Sequence, residues 1–216
     1  MQKVKPNKPF QNQFGLSEKE LALLKKLDTP RKVQDFLETI PINFAPRTCM
    51  SPRKVLRTRR AHCLEGAFLA ALIFWIHREP PFLLDLVTAD PDVDHVVALF
   101  RRRGKWGAVS KTNHAVLRYR EPVYRTVREL ALSYFHEYFL DNGKKTLRKF
   151  SDPFDIRKYA EPHWAVDEKN LWYLEGALDR SPHHAIFSSA NARELRPADP
   201  VEIAAGKLTV WRRKRG

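Results

Sequence analysis

The sequence predicts an α+β fold in which a buried, cysteine-bearing helix packs on a small antiparallel sheet, with further helices flanking it. Three observations carry this. From Leu64 to Ile76 the chain has no polar face after the first helical turn, which puts that helix inside the protein. Two apolar runs of strand length follow, Phe82 to Val87 and His95 to Phe100. Arg102 to Lys105, with Gly104, then supplies a hairpin turn into Trp106 to Ser110, which returns antiparallel.

The elements follow in order. Residues 1–15, rich in Lys, Gln, Asn and Pro, read as a disordered lead without a secretory h-region. Ser17 and Glu20 fit a capping box that opens a helix to about Leu27. Thr29-Pro30 starts a second helix, with Val33, Phe36, Leu37 and Ile40 at helical spacing. Ile42 to Cys49 reads as a loop, and Ser51-Pro52 opens a short basic helix. The buried helix runs from about His62 to His77 and stops at Pro80-Pro81. After the hairpin, Val116 to Tyr119 is expected as a further strand, and Val123 to about Leu140 as an amphipathic helix ended by Asn142-Gly143. The rest is weakly patterned, with a helix expected around Glu168 to Leu178. The organisation is thus a single domain over 16–216, with a core of about 45–140 and a C-terminal extension over 141–216.

At 216 residues, with 43% hydrophobic and 30% charged positions, the chain has enough apolar material for one globular core. Its longest apolar run, Ala67 to Ile76, is short of the ~20 residues a membrane span needs. Two cysteines, Cys49 and Cys63, make no disulfide framework, so free thiols and a cytoplasmic location are expected. The net charge of +14 gathers around Arg53–Arg60, Arg101–Lys105 and Arg212–Arg215. Such a surface attracts nucleic acid or an acidic partner without specifying either. The motifs of zinc fingers, RNA-recognition modules and phosphate-binding loops are missing, which disfavours nucleic acid. Cys63 with neighbouring histidines lacks close metal-ligand spacing, so neither metal nor cofactor is expected.

Chemistry concentrates in Ala61-His62-Cys63-Leu64-Glu65-Gly66-Ala67 and in His95. A thiol attacks as thiolate, and the start of a helix lowers its pKa through the dipole and free backbone N–H groups. Those N–H groups also suit a developing oxyanion. His95 fits a base that takes the thiol proton and later returns it to a leaving group. An orienting partner for its ring falls in the window of Ser110, Thr112 and Asn113. Glu65 is expected to cap backbone N–H groups. His62, His77, His114, His136, His163, His183 and His184 are expected as surface or packing residues, and Cys49 is given no role.

The order of a Cys at a helix start, apolar helix, strand, Asp94-His95 strand and Gly104-Lys105-Trp106 hairpin, with a polar residue four positions after the tryptophan, resembles the transglutaminase-like superfamily. The resemblance covers roughly residues 45–120. It implies a papain-like core and a catalytic set at Cys63, His95 and Ser110, where Ser110 stands in place of the family's usual aspartate, or Asn113 takes that place. It further implies a cysteine peptidase, amidase or acyl transferase working through a Cys63 thioester on a peptide or protein amide. Hydrolysis is favoured over cross-linking because no second substrate site is marked. The alternatives are an inactive binding module on the same fold and a basic nucleic-acid-binding protein.

Overall fold

The computed structural model describes residues 12–45 and 47–212. The expected lead is ordered from its end. Asn12–Phe14 form a 3-10 turn, and Phe14 is buried edge-on against Trp75, with ring centroids 5.2 Å apart. Residues 1–11 of that lead lie outside the described residues.

Helices α1 (Glu18–Lys25), α2 (Pro30–Glu38) and α3 (Pro52–Thr58) start at Ser17, Thr29 and Ser51, whose hydroxyls accept backbone N–H groups of the first turn. Helix α4 (Cys63–Ile76) follows, and every residue from Leu64 to Ile76 is buried. Its entry is set by a parallel bridge between Ile42 and Ala61, in which Ala61 N–H donates to Pro41 and Asn43 N–H donates to Ala61.

The sheet contains β1 (Phe82–Thr88), β2 (His95–Arg102), β3 (Lys105–Val109), β4 (Arg120–Tyr124), β5 (Leu147–Ser151), β6 (Phe154–Asp155) and β7 (His183–Ala185). The order is β4-β3-β2-β1-β5-β7, with β6 also on β1, and all of these pairs are antiparallel. Strand alternation divides the side chains between two layers. Leu83, Val96, Ala98, Phe100 and Val109 pack with α4. Leu84, Leu86, Val97, Leu99 and Ala108 pack on the other side with Leu130, Ala131 and Tyr134 of the segment after β4. Covering both faces explains why β1 and β2 read as continuous apolar runs. Each fully buried Leu, Ile or Phe contributes about 1.5–3 kcal/mol, so α4 and its sheet face dominate the core.

Three expectations are corrected. The strand after the hairpin is β4, not Val116 to Tyr119. The amphipathic stretch is not one helix, because Thr126 caps a new start: its hydroxyl accepts from Glu129 N–H, giving α5 (Val127–Ser133) and then a 3-10 turn at Phe135–Glu137. The segment 141–216 is not an appendage. It supplies β5, β6, β7 and α6 (Trp172–Asp179), and β5 lies against the central strand β1. Helices α7 (Ser189–Arg193) and α8 (Pro200–Gly206) complete the chain. Among the described residues, no helix is long and apolar enough to cross a membrane.

Candidate active site

Cys63 is the first residue of α4, and His95 is the first of β2. His62 precedes the helix in extended conformation, with φ −92° and ψ −174°. All three line one cleft of about 460 Å³. The imidazoles of His62 and His95 both act on the Cys63 thiol. Burial works to raise the thiol pKa, but the two histidines, His62 first, outweigh it and hold Cys63 well below the ordinary thiol range.

His95 is oriented from its far side. Its Nε2 lies 2.8 Å from Ser110 Oγ, and that hydroxyl lies 2.5 Å from the Leu117 carbonyl oxygen. A carbonyl only accepts, so the hydroxyl proton goes to Leu117 and Ser110 Oγ accepts from His95 Nε2–H. The remaining nitrogen, Nδ1, is then the one left for the side of the thiol.

The scaffold fixes Ser110 in turn. Gln34 of α2 donates from Nε2 to the Ser110 carbonyl at 2.8 Å and accepts Ser110 N–H on Oε1 at 2.9 Å. Leu117 adopts a left-handed φ of 59°, costly for a branched residue, and is held there by Glu137, which accepts its N–H at 2.6 Å and pairs with Arg120 at 2.7 Å. The next residue, Lys111, is fully buried. Its Nζ donates to the Leu37 and Ile40 carbonyls at 3.1 and 2.6 Å, closing the end of α2. Burial lowers its pKa. Its stem crosses α4 at Gly66, where a Cβ would stand 2.4 Å from Lys111 Cβ. Glycine is needed there for close approach.

The other candidates for orienting His95 are engaged elsewhere. The Asn113 side chain exchanges two hydrogen bonds with the Trp211 backbone, at 2.8 and 3.0 Å. Thr112 Oγ1 accepts from His114 N–H. Of the three residues in the sequence window, Ser110 is the one hydrogen-bonded to His95, and Asn113 is bonded to Trp211 instead. Asp94 accepts Thr88 N–H and its hydroxyl on one oxygen at the cleft rim. Trp106 stays on the hairpin, under Arg101 and beside Phe82, and does not line the cleft.

The main correction concerns His62, expected as a packing residue. Its Nε2 donates to the Thr48 carbonyl at 2.8 Å and lies 3.3 Å from Glu65 Oε1. Glu65, with no exposed surface, also accepts His62 N–H, Met50 N–H and Asn43 Nδ2–H, each at 3.0 Å. The expected capping role is therefore real, and it is combined with a charge contact. Burial disfavours a charged His62, yet Cys63 and Glu65 outweigh it and raise its pKa to about 10. Burial likewise opposes the Glu65 anion, which His62, Asn43 and Met50 hold below the usual carboxylate range. The sequence signal was the spacing of a histidine at the cap and a glutamate three residues on.

Cys49 makes the contrast. It is fully buried, and burial raises its pKa, with Glu175 and Glu65 adding to the rise. It behaves as a small inert hydrophobe. Several basic side chains are locally paired: Arg53 with Glu20, Arg57 with Glu168, Arg102 with Glu79 and Arg118 with Glu38. Residues 213–216 of the basic tail lie outside the described residues.

No family model matches the sequence, and no curated protein matches it.

Proposed function

We propose that this protein is a transglutaminase-like thiol enzyme with a papain-like core that hydrolyses an amide of a peptide or protein through a thioester on Cys63. One observation carries the reading: a thiol at a helix start shares a cleft with an imidazole whose far nitrogen is bonded to Ser110, and that cleft is able to hold a side chain and its flanking backbone.

In this reading the Cys63 thiol gives its proton to His95 Nδ1, and the thiolate attacks the amide carbonyl carbon. The N–H groups of the first turn of α4, which have no intrahelical carbonyl, receive the developing oxyanion. His95 then protonates the amine as the C–N bond breaks, leaving the thioester. Water, deprotonated by His95, attacks the thioester carbonyl. The acid departs, leaving the sulfur as thiolate and the proton on His95. Ser110 holds the ring in the tautomer these transfers need, without the charge a carboxylate would supply. The proposal includes a reducing, cytoplasmic setting, in which both cysteines stand as thiols.

The test is the pH dependence of Cys63 alkylation by iodoacetamide, together with turnover of a library of amide-capped peptides. Labelling well below the ordinary thiol pKa of about 8.5 is expected, with turnover lost in Cys63→Ser and His95→Gln. A thiol titrating near 8.5, or turnover that survives Cys63→Ser, contradicts the reading. Salt-sensitive retention on a polyanion with no turnover would favour the acidic-partner alternative instead.

A further inference from the structure

We propose that His62, clamped by Glu65 and the Thr48 carbonyl, is a second, positioning cation that holds Cys63 as thiolate, while His95 alone carries the mobile proton. This deepens the thiol-enzyme reading and rests on it.

The argument starts from valence. His62 Nε2 must carry a proton, because the Thr48 oxygen 2.8 Å away only accepts. The same nitrogen lies 3.3 Å from Glu65 Oε1. Its other nitrogen, Nδ1, is the one left to face the thiol of Cys63, the next residue in the chain, with which it shares the cleft. A neutral ring would present a lone pair there and accept from S–H. A charged ring donates to S⁻ instead. Glu65 decides between them, because a fully buried carboxylate needs a counter-charge, and His62 is the cation it touches. Its other partners, the amides of His62, Met50 and Asn43, are neutral donors.

The surrounding charges fit. Cys63 and Glu65 face His62 from α4, and Glu175 acts on it from α6. His95 reaches the thiol from β2, and Tyr138 is coupled to the thiol through space as a neutral phenol, its pKa raised by burial. The negative groups acting on His62 favour its charged form, in the direction of its raised pKa.

The two histidines then have separate tasks. His62, with Glu65 at its back, keeps its proton throughout the cycle. His95, hydrogen-bonded to the neutral Ser110 hydroxyl, has no carboxylate at its back and is the ring left to pass the proton to the leaving amine. A standing cation beside the sulfur compensates for the missing aspartate behind His95.

Alkylation of Cys63 measured from pH 4 to 10 separates the possibilities. In His62→Gln the midpoint should rise by a unit or more, so that labelling at pH 6 slows about tenfold or more, since one pKa unit is a tenfold change in thiolate. His95→Gln should move the midpoint less while abolishing turnover. A His62→Gln profile that coincides with the parent overturns the proposal, even if the parent thiol is acidic. A parent thiol titrating near 8.5 overturns the thiol-enzyme reading itself. Should His62→Gln fail to fold, ¹⁵N NMR of the unmodified protein decides. An imidazolium signature for His62 at pH 8, lost in Cys63→Ser or at much lower pH in that variant, supports the proposal, and a neutral ring at pH 7 overturns it.

Discussion

The Ser110 hydroxyl gives its single proton to the Leu117 carbonyl 2.5 Å away, so toward His95 it can only accept. Ser110→Ala therefore leaves a buried Nε2–H unpaired, at a cost of about 1–3 kcal/mol, and frees the ring to change tautomer. Amide turnover should fall about 10²-fold, with the thermal midpoint lowered by roughly 2–4 °C for each kcal/mol lost. Ser110→Asp should not rescue it. A carboxylate at that position has no proton to offer Leu117 and would face its carbonyl oxygen. A more active Ser110→Asp enzyme would show that the Leu117 bond is dispensable.

Gly66→Ala should act at a distance from the thiol. The added Cβ would sit 2.4 Å from Lys111 Cβ and 2.9 Å from Lys111 Cγ, so α4 or the Lys111 segment must shift. A loss of about 1–3 kcal/mol in denaturant unfolding is expected, together with slower Cys63 labelling, because Ser110 neighbours Lys111 in the chain. Unchanged stability would mean that the strand absorbs the methyl group freely.

Asp85 gives the fold a pH dependence of its own. It is buried and paired through Oδ2 with His183 at 3.2 Å, while Oδ1 has no partner among the described residues. Burial first, then the Asp94 charge, raises its pKa to about 6 against the opposing His183. A raised carboxyl pKa means that the native state binds the proton more tightly. Its contribution is present below the ordinary value near 4 and is lost as pH rises through about 6. Asp85→Asn should thus stabilise the protein at pH 7.5, by up to about 3 kcal/mol, and have little effect at pH 4. Thermal melts at the two pH values check this. Equal effects at both would assign the change to packing rather than to ionisation.

The Asn113 carboxamide ties down the segment after α8. It exchanges hydrogen bonds with the Trp211 backbone, while Val210 N–H donates to its carbonyl and Ala115 N–H donates to Leu208. Asn113→Ala should speed amide exchange at Trp211 by roughly tenfold, as one or two bonds of about 1 kcal/mol each are removed. Exchange in α4 should be unchanged. Since Ile203 and Gly206 of α8 and Lys207 just after it line the cleft, faster Cys63 labelling by bulky reagents should accompany it.

The parts of the fold legible in the sequence are those with strong local patterning. Helix α4 shows itself by the absence of a polar face, and β1 to β3 by apolar runs around the Gly104 turn. Cys63 and His95 followed from that order. The strands β5 to β7 did not, because they are two to five residues long and Leu147-Arg148-Lys149-Phe150 alternates too briefly to stand out. Helical spacing from Val123 to Tyr138 ran across Thr126, where the hydroxyl cap and the exposed Val123 of β4 reset the backbone. His62 was missed for a different reason. Its role depends on an extended cap conformation and on Glu65 reaching back, and periodicity carries neither. Ser110 could be distinguished from Asn113 only by partners distant in sequence, Gln34 for one and Trp211 for the other.

The position of β1 bears on how the chain assembles. Its neighbour on one side, β2, follows immediately, but the opposite edge is closed by β5, made from a much later stretch. During synthesis, Phe82–Thr88 therefore presents an apolar, unpaired edge, a template for pairing with other chains, until that stretch emerges. Non-local closure of this kind is slow compared with helix formation. Nascent chains stalled before Leu147 should consequently be the species most dependent on chaperones.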